Sequence, residues 1–139
     1  MEHFPVANDP DAEVVYRAEA ILERELPTRK LSLTEAQALV NKISHAEDID
    51  SPKVFHLPIT RQFDAFAVPK EHVIVVRTSR PTQLTIVHEM AHFLTESGHG
   101  AGFRRAYLEL LRRFISFDHA ARLASSLARP VLESTTRPA

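Results

Sequence analysis

The segment from Leu84 to Leu94 constrains the fold more than any other. Leu84, Ile86, Val87, Met90, Ala91, Phe93 and Leu94 recur so densely that, wound into a helix, they cover more than half of its circumference. A helix without a broad polar face has to lie in the core, with other elements around it. Ser79-Arg80-Pro81 reads as its start, its end falls near Thr95, and Gly98 and Gly100 break it; Gly98 is a candidate left-handed stop.

The remaining elements supply what must surround it. Asp9 reads as an N-cap with Pro10 at the first helical position, and Val14, Val15, Ala18, Ile21 and Leu22 follow at helical spacing until Pro27. Ser32 and Glu35 form a capping-box pattern ahead of Leu33, Ala36, Leu39, Val40 and Ile43, so a second helix of about fourteen residues is predicted. Residues 53–57, 63–68 and 72–77 are candidate strands, the last being the most β-branched, with a turn at Pro69-Lys70-Glu71. A further helix begins near Ala101, with Phe103, Ala106, Tyr107, Leu110, Leu111, Phe114 and Ile115 on one face. Asp118 is a candidate cap for a last helix to about Ala128. The expectation is one α+β domain spanning 1–139, with a core over about 10–128 and a tail over 130–139.

Composition narrows the chemistry. The 139 residues are 44% apolar and 25% charged, as in an ordinary globular chain. No apolar run is long enough to span a bilayer, and the N-terminus lacks a basic start and an apolar stretch, so the default expectation is a cytoplasmic protein without a membrane partner. With no cysteine, disulfides, thiolate catalysis and Cys-ligated metals are excluded. The three glycines all lie at 98–102, which excludes a Gly-rich phosphate loop, and no Ser nucleophile elbow occurs. Any metal has to be held by His and carboxylates, and the chain has eight His.

His88-Glu89-Met90-Ala91-His92 is an H-E-x-x-H pattern inside the apolar helix. Two His four residues apart differ by about 40° around the axis and about 6 Å along it, so both imidazoles can reach one ion. Zinc (Zn2+) suits neutral imidazole, and Glu89 on the flank can hold and deprotonate a zinc-bound water. Catalytic zinc usually has three protein ligands. His99 is the candidate third, with Glu96, Asp118 and His119 as rivals. The metzincin spacing does not fit, because Thr95 and Gly98 stand where that pattern needs Gly and His. His45, His56 and His72 are scattered and read as surface or strand residues. Tyr107 reads as core, and an oxyanion-donor role is the alternative.

His88-Glu89-Met90-Ala91-His92 followed by His99-Gly100-Ala101-Gly102-Phe103 resembles the HExxH…HGxxF signature of SprT-like and WLM-type small zinc metallopeptidases. The layout is similar to a group of small actinobacterial metallohydrolases that share a Val15-Tyr16-Arg17-Ala18-Glu19-like first helix and Gly-His-Gly-x-x-Phe-Arg after the zinc helix. The resemblance implies a minimal zincin-like fold, with a small, mostly antiparallel sheet of about three strands against the zinc helix. It also implies His99 as third ligand and Phe103 packing the next helix onto the core. The expected activity is zinc-dependent hydrolysis of a peptide or protein substrate, with His88, His92 and His99 on the metal and Glu89 as general base. An extended substrate could pair with an exposed strand at 63–68 or 53–57. The alternative is a non-catalytic zinc module. Nucleic acid is a further conceivable partner, because residues 101–139 carry seven Arg against three acidic residues.

Overall fold

Local signals account for most of the element boundaries. In the computed structural model, which describes residues 9–58, 64–95 and 98–129, Asp9 accepts from the backbone amides of Asp11 and Ala12 at 3.1 and 3.3 Å. These bonds satisfy amides that have no partner within the helix and start α1, Pro10–Glu25. Both arms of the capping box form at α2, Leu33–Glu47, with Glu35 N to Ser32 Oγ at 3.0 Å and Ser32 N to Glu35 Oε1 at 2.8 Å. The central helix α3, Gln83–Leu94, starts later than Ser79-Arg80-Pro81 suggests. Pro81 O accepts from Leu31 N, and Thr82 forms a bridge with Lys30, so the chain is still extended there. Thr82 then caps the helix by accepting from Thr85 N at 3.1 Å. After α4, Ala101–Phe114, the cap of α5, Phe117–Ala128, is Ser116 rather than Asp118, with Ser116 Oγ accepting from His119 N at 2.9 Å. Asp118 lies in the first turn, where a negative charge meets the positive end of the helix.

The α+β class holds, but the sheet is mixed rather than mostly antiparallel. Strands β1 (Lys53–His56), β2 (Ala65–Val68) and β3 (Val73–Val76) are ordered β1-β3-β2. β2 and β3 are antiparallel, joined through one 3₁₀ turn at Pro69–Glu71, whereas β1 and β3 are parallel. β3's burial accounts for the order: Ile74 and Val76 are fully buried and Val75 nearly so, and the centre of a three-stranded sheet covers such a strand from both sides; with β2 antiparallel on one edge, β1 pairs parallel on the other, which makes the sheet mixed. The more exposed β1 takes the opposite edge. Gln37 of α2 fixes it there, accepting from Val54 N at 2.8 Å and donating to Pro52 O at 2.9 Å. Phe63, the first residue of the predicted middle strand, and the 130–139 tail lie outside the described residues.

The core closes around α3 as its composition requires. Ile86, Val87, Met90 and Ala91 are fully buried. They join one apolar cluster with Val15, Ala18 and Leu22 of α1, Val40 and Ile43 of α2, Leu110 and Leu111 of α4, and Leu123 of α5. Among the described residues no helix is long and apolar enough to cross a membrane.

Candidate metal centre

The H-E-x-x-H segment falls within α3, and the structure brings His88, His92 and His99 together. One ligand nitrogen from each lies within 4.8 Å of the others, and the residues are only 5%, 4% and 4% exposed. Two nitrogens on one tetrahedral ion at about 2.0–2.1 Å stand roughly 3.4 Å apart, so small side-chain rotations close this trio on a metal.

His99 reaches the site through the turn after α3. The helix ends at Leu94, and Thr95 Oγ1 donates back to Ala91 O at 2.8 Å. Gly98, at φ +102°, is not the helix stop itself but lies four positions beyond Leu94. Its backbone lies in the left-handed region, while a Cβ there would meet nothing within 4 Å, so conformation rather than space demands glycine. Arg104 Nε donates to His99 O at 3.3 Å. Phe103 of α4 is a common floor, its ring centroid 5.1, 4.5 and 4.9 Å from those of His88, His92 and His99.

Two carboxylates, Glu19 of α1 and the α1 N-cap Asp9, orient the imidazoles. His88 Nδ1 hydrogen-bonds Glu19 Oε2, and His99 Nδ1 hydrogen-bonds Asp9 Oδ2 at 3.0 Å. In both rings this leaves Nε2 for the centre, and the partner fixes tautomer and direction. Tyr107, fully buried, donates to the same Glu19 oxygen at 2.5 Å. Tyr107 is therefore core, as its sequence position predicts, and it also anchors the carboxylate behind His88. His99 Nε2 is buried with no hydrogen-bond partner among the described residues. A buried polar atom left so is costly, and a metal ion is one occupant that satisfies it.

Protonation differs between His88 and His99. Burial pushes the His88 imidazole down, but the charge and hydrogen bond of Glu19 and the charge of Glu89 outweigh it, raising the pKa to about 9. Burial dominates at His99 and holds it below the usual histidine range despite Asp9. Glu89 is 6% exposed, and its carboxylate makes no hydrogen bond among the described residues. Burial, against the attraction of His88 and reinforced by Glu19 and Asp64, pushes its pKa up to about 7.

Glu89 and His88 open onto a cleft of about 500 Å³, also lined by Tyr16, Glu19, Thr85, Asp64 and Ala65. Tyr16 stands over the ligands, its ring stacked on His88 at 6.1 Å and edge-on to His99 at 5.5 Å. Burial, then the charges of Glu89, Glu19 and Asp9, keep its phenol protonated well above the ordinary range.

The rivals of His99 are not drawn in. His119 is engaged with Ser116 Oγ at the start of α5, and Asp118 pairs with Arg122 at 3.2 Å. Glu96 lies outside the described residues. His45, His56 and His72 are not members of the cluster. Among the described residues, four of the C-terminal arginines are ion-paired, Arg104 with Asp11, Arg112 with Glu109, Arg113 with Glu47 and Arg122 with Asp118. Sequence reasoning missed Asp9 and Glu19 as supports and Tyr16 as part of the site. For Glu19 a signal existed, since a carboxylate sits beside the buried stripe of Val15, Ala18 and Leu22. No family model, no curated protein and no solved structure matches this chain.

Proposed function

We propose that this chain is a zinc-dependent hydrolase of minimal zincin type, acting on a peptide bond. The observation that carries this reading is Glu89: a buried carboxylate with no hydrogen bond among the described residues, one residue from a metal-competent imidazole, facing an open cleft. A purely structural site has no use for such a group. It also closes its metal with four protein ligands, whereas the cluster among the described residues has three members.

His88, His92 and His99 hold the ion through neutral nitrogens, with Glu19 and Asp9 fixing the first and last. The donor set of three imidazoles suits zinc, which when bound polarises a carbonyl and lowers the pKa of water toward about 7. Glu89 takes a proton from the attacking water and delivers it to the leaving amine, and its raised pKa suits both steps near neutral pH. Substrate enters along the cleft, beside the start of β2, where Asp64 and Ala65 line the wall. Between the two candidate edges β2 is favoured, since Gln37 already engages the backbone of β1.

The test combines metal analysis with a mixed peptide library. The expected result is one zinc per chain, cleavage by the zinc-loaded protein, and loss of cleavage on chelation. A zinc-loaded wild type that cleaves no member of the library overturns the peptidase reading and leaves only the metal site.

Zinc binding also has a predictable pH dependence. In the metal-free protein His88 is protonated below about pH 9, and zinc must displace that proton. Apparent zinc affinity therefore rises with pH, by about tenfold per unit between pH 7 and 9. Competition with a chromogenic chelator at pH 7, 8 and 9 measures it, and a flat profile contradicts a protonated His88.

A further inference from the structure

Tyr16 is unexplained by metal binding and by core packing. It lies on α1 one turn before Glu19, so the two share a face. It is 38% exposed on a helix whose neighbouring Val15 and Ala18 are buried. Its ring covers His88 and His99 from the cleft side, and its hydroxyl has no hydrogen-bond partner among the described residues. A tyrosine serving only as packing buries its ring elsewhere, and one serving as a support, as Tyr107 does, spends its hydroxyl on a carboxylate.

We propose that Tyr16 is a catalytic residue, its hydroxyl donating a hydrogen bond to the substrate carbonyl oxygen as that oxygen becomes anionic. The inference rests on the hydrolase reading and adds a second group from this chain to the reacting centre. The His ligands are buried, so the carbonyl must approach from the cleft, and there Tyr16 and Glu89 are both on the wall. The two divide the work. The water oxygen bonds to the carbonyl carbon, and the carbonyl π pair moves onto its oxygen. Glu89 receives the water proton, and Tyr16 meets the new negative charge without giving up its own. When the C–N bond breaks, the electrons on oxygen re-form the carbonyl and the amine nitrogen takes the proton from Glu89. A donor aimed at developing charge in a site shielded from water acts on the transition state more than on bound substrate. A phenol, with an ordinary pKa near 10, is such a donor at neutral pH.

Tyr16→Phe removes the hydroxyl and keeps the ring contacts with His88 and His99. The direct probe is acetohydroxamate, whose carbonyl oxygen carries partial negative charge when it chelates a metal. Its binding is read from the visible spectrum of the cobalt-loaded protein. The variant is expected to hold one metal per chain and to bind acetohydroxamate about tenfold more weakly, the loss of one charge-assisted hydrogen bond. On any substrate the library yields, kcat should fall about 10- to 100-fold with KM nearly unchanged. Equal acetohydroxamate affinity in the two proteins overturns the proposal, as does a wild type that holds cobalt but does not bind the probe. A wild type that cleaves nothing, yet binds the probe through the Tyr16 hydroxyl, overturns the hydrolase reading and leaves the donor assignment standing.

Discussion

Replacing His99 by alanine is expected to lower zinc affinity by about 10³-fold or more, as far as His92→Ala lowers it, while the fold survives. A lost ligand should exceed the roughly 10- to 100-fold typical of losing a partner hydrogen-bonded behind a ligand. The survival of the fold follows from how the support is divided. Asp9 Oδ1 caps α1 while Asp9 Oδ2 holds His99, so removing the imidazole leaves the cap bonds to Asp11 and Ala12 intact. Asp9→Asn separates the two roles. Asparagine caps a helix about as well as aspartate, but it loses the charge that orients the ring. It should keep α1 and weaken zinc only within the 10- to 100-fold range. Competition titrations with circular dichroism on all three variants check this order. Zinc retention in His99→Ala equal to wild type moves the third ligand elsewhere.

What could be read from the sequence tracks the range of the interactions involved. The caps of α1 and α2 follow from a few consecutive residues, and Asp9, Ser32 and Glu35 behave as their chemistry dictates. The pairing of His88 with His92 is equally local, since it needs only the helical repeat. His99 could be named as a candidate but not placed, because its position depends on the turn at Gly98 and on the packing of α4 through Phe103. The start of α3 departs from the local signal at Ser79-Arg80-Pro81 for the same kind of reason. Contacts of Pro81 and Thr82 with Leu31 and Lys30, some fifty residues away, hold that stretch extended. Gln37, some fifteen residues away, hydrogen-bonds β1 at Val54 and its flank at Pro52, and no local pattern in 53–57 announces the parallel pairing. Asp9, Tyr16 and Glu19 stand some seventy to ninety residues from the imidazoles they touch, beyond the reach of motif reading.

Glu89→Gln should do two opposite things. Activity of the zinc-loaded protein should fall by about 10²- to 10⁴-fold, the usual contribution of a positioned general base, with zinc retained because the three imidazoles are untouched. In the metal-free protein the same change should relieve strain at high pH. The carboxyl pKa, about 7 in the fold, lies above its ordinary 4.5, so the fold favours the neutral form. Below pH 4.5 the group is protonated in both folded and unfolded chains and costs nothing. Between 4.5 and 7 the unfolded chain loses its proton first and stability falls as pH rises; above 7 the whole cost is present, on the order of 3 kcal/mol. Glutamine cannot ionise, so the stability difference between variant and wild type should grow by that amount from pH 4 to pH 8. Comparing the two pH values cancels the constant cost of burying an amide. Urea unfolding of both metal-free proteins at pH 4 and pH 8 measures it. A pH-independent gap would mean that Glu89 is not strained in the fold. A buried acid that weakens the metal-free chain, yet cannot be replaced without loss of turnover, is what a catalytic carboxylate should be. A bystander on the same helix would show the stability gain alone.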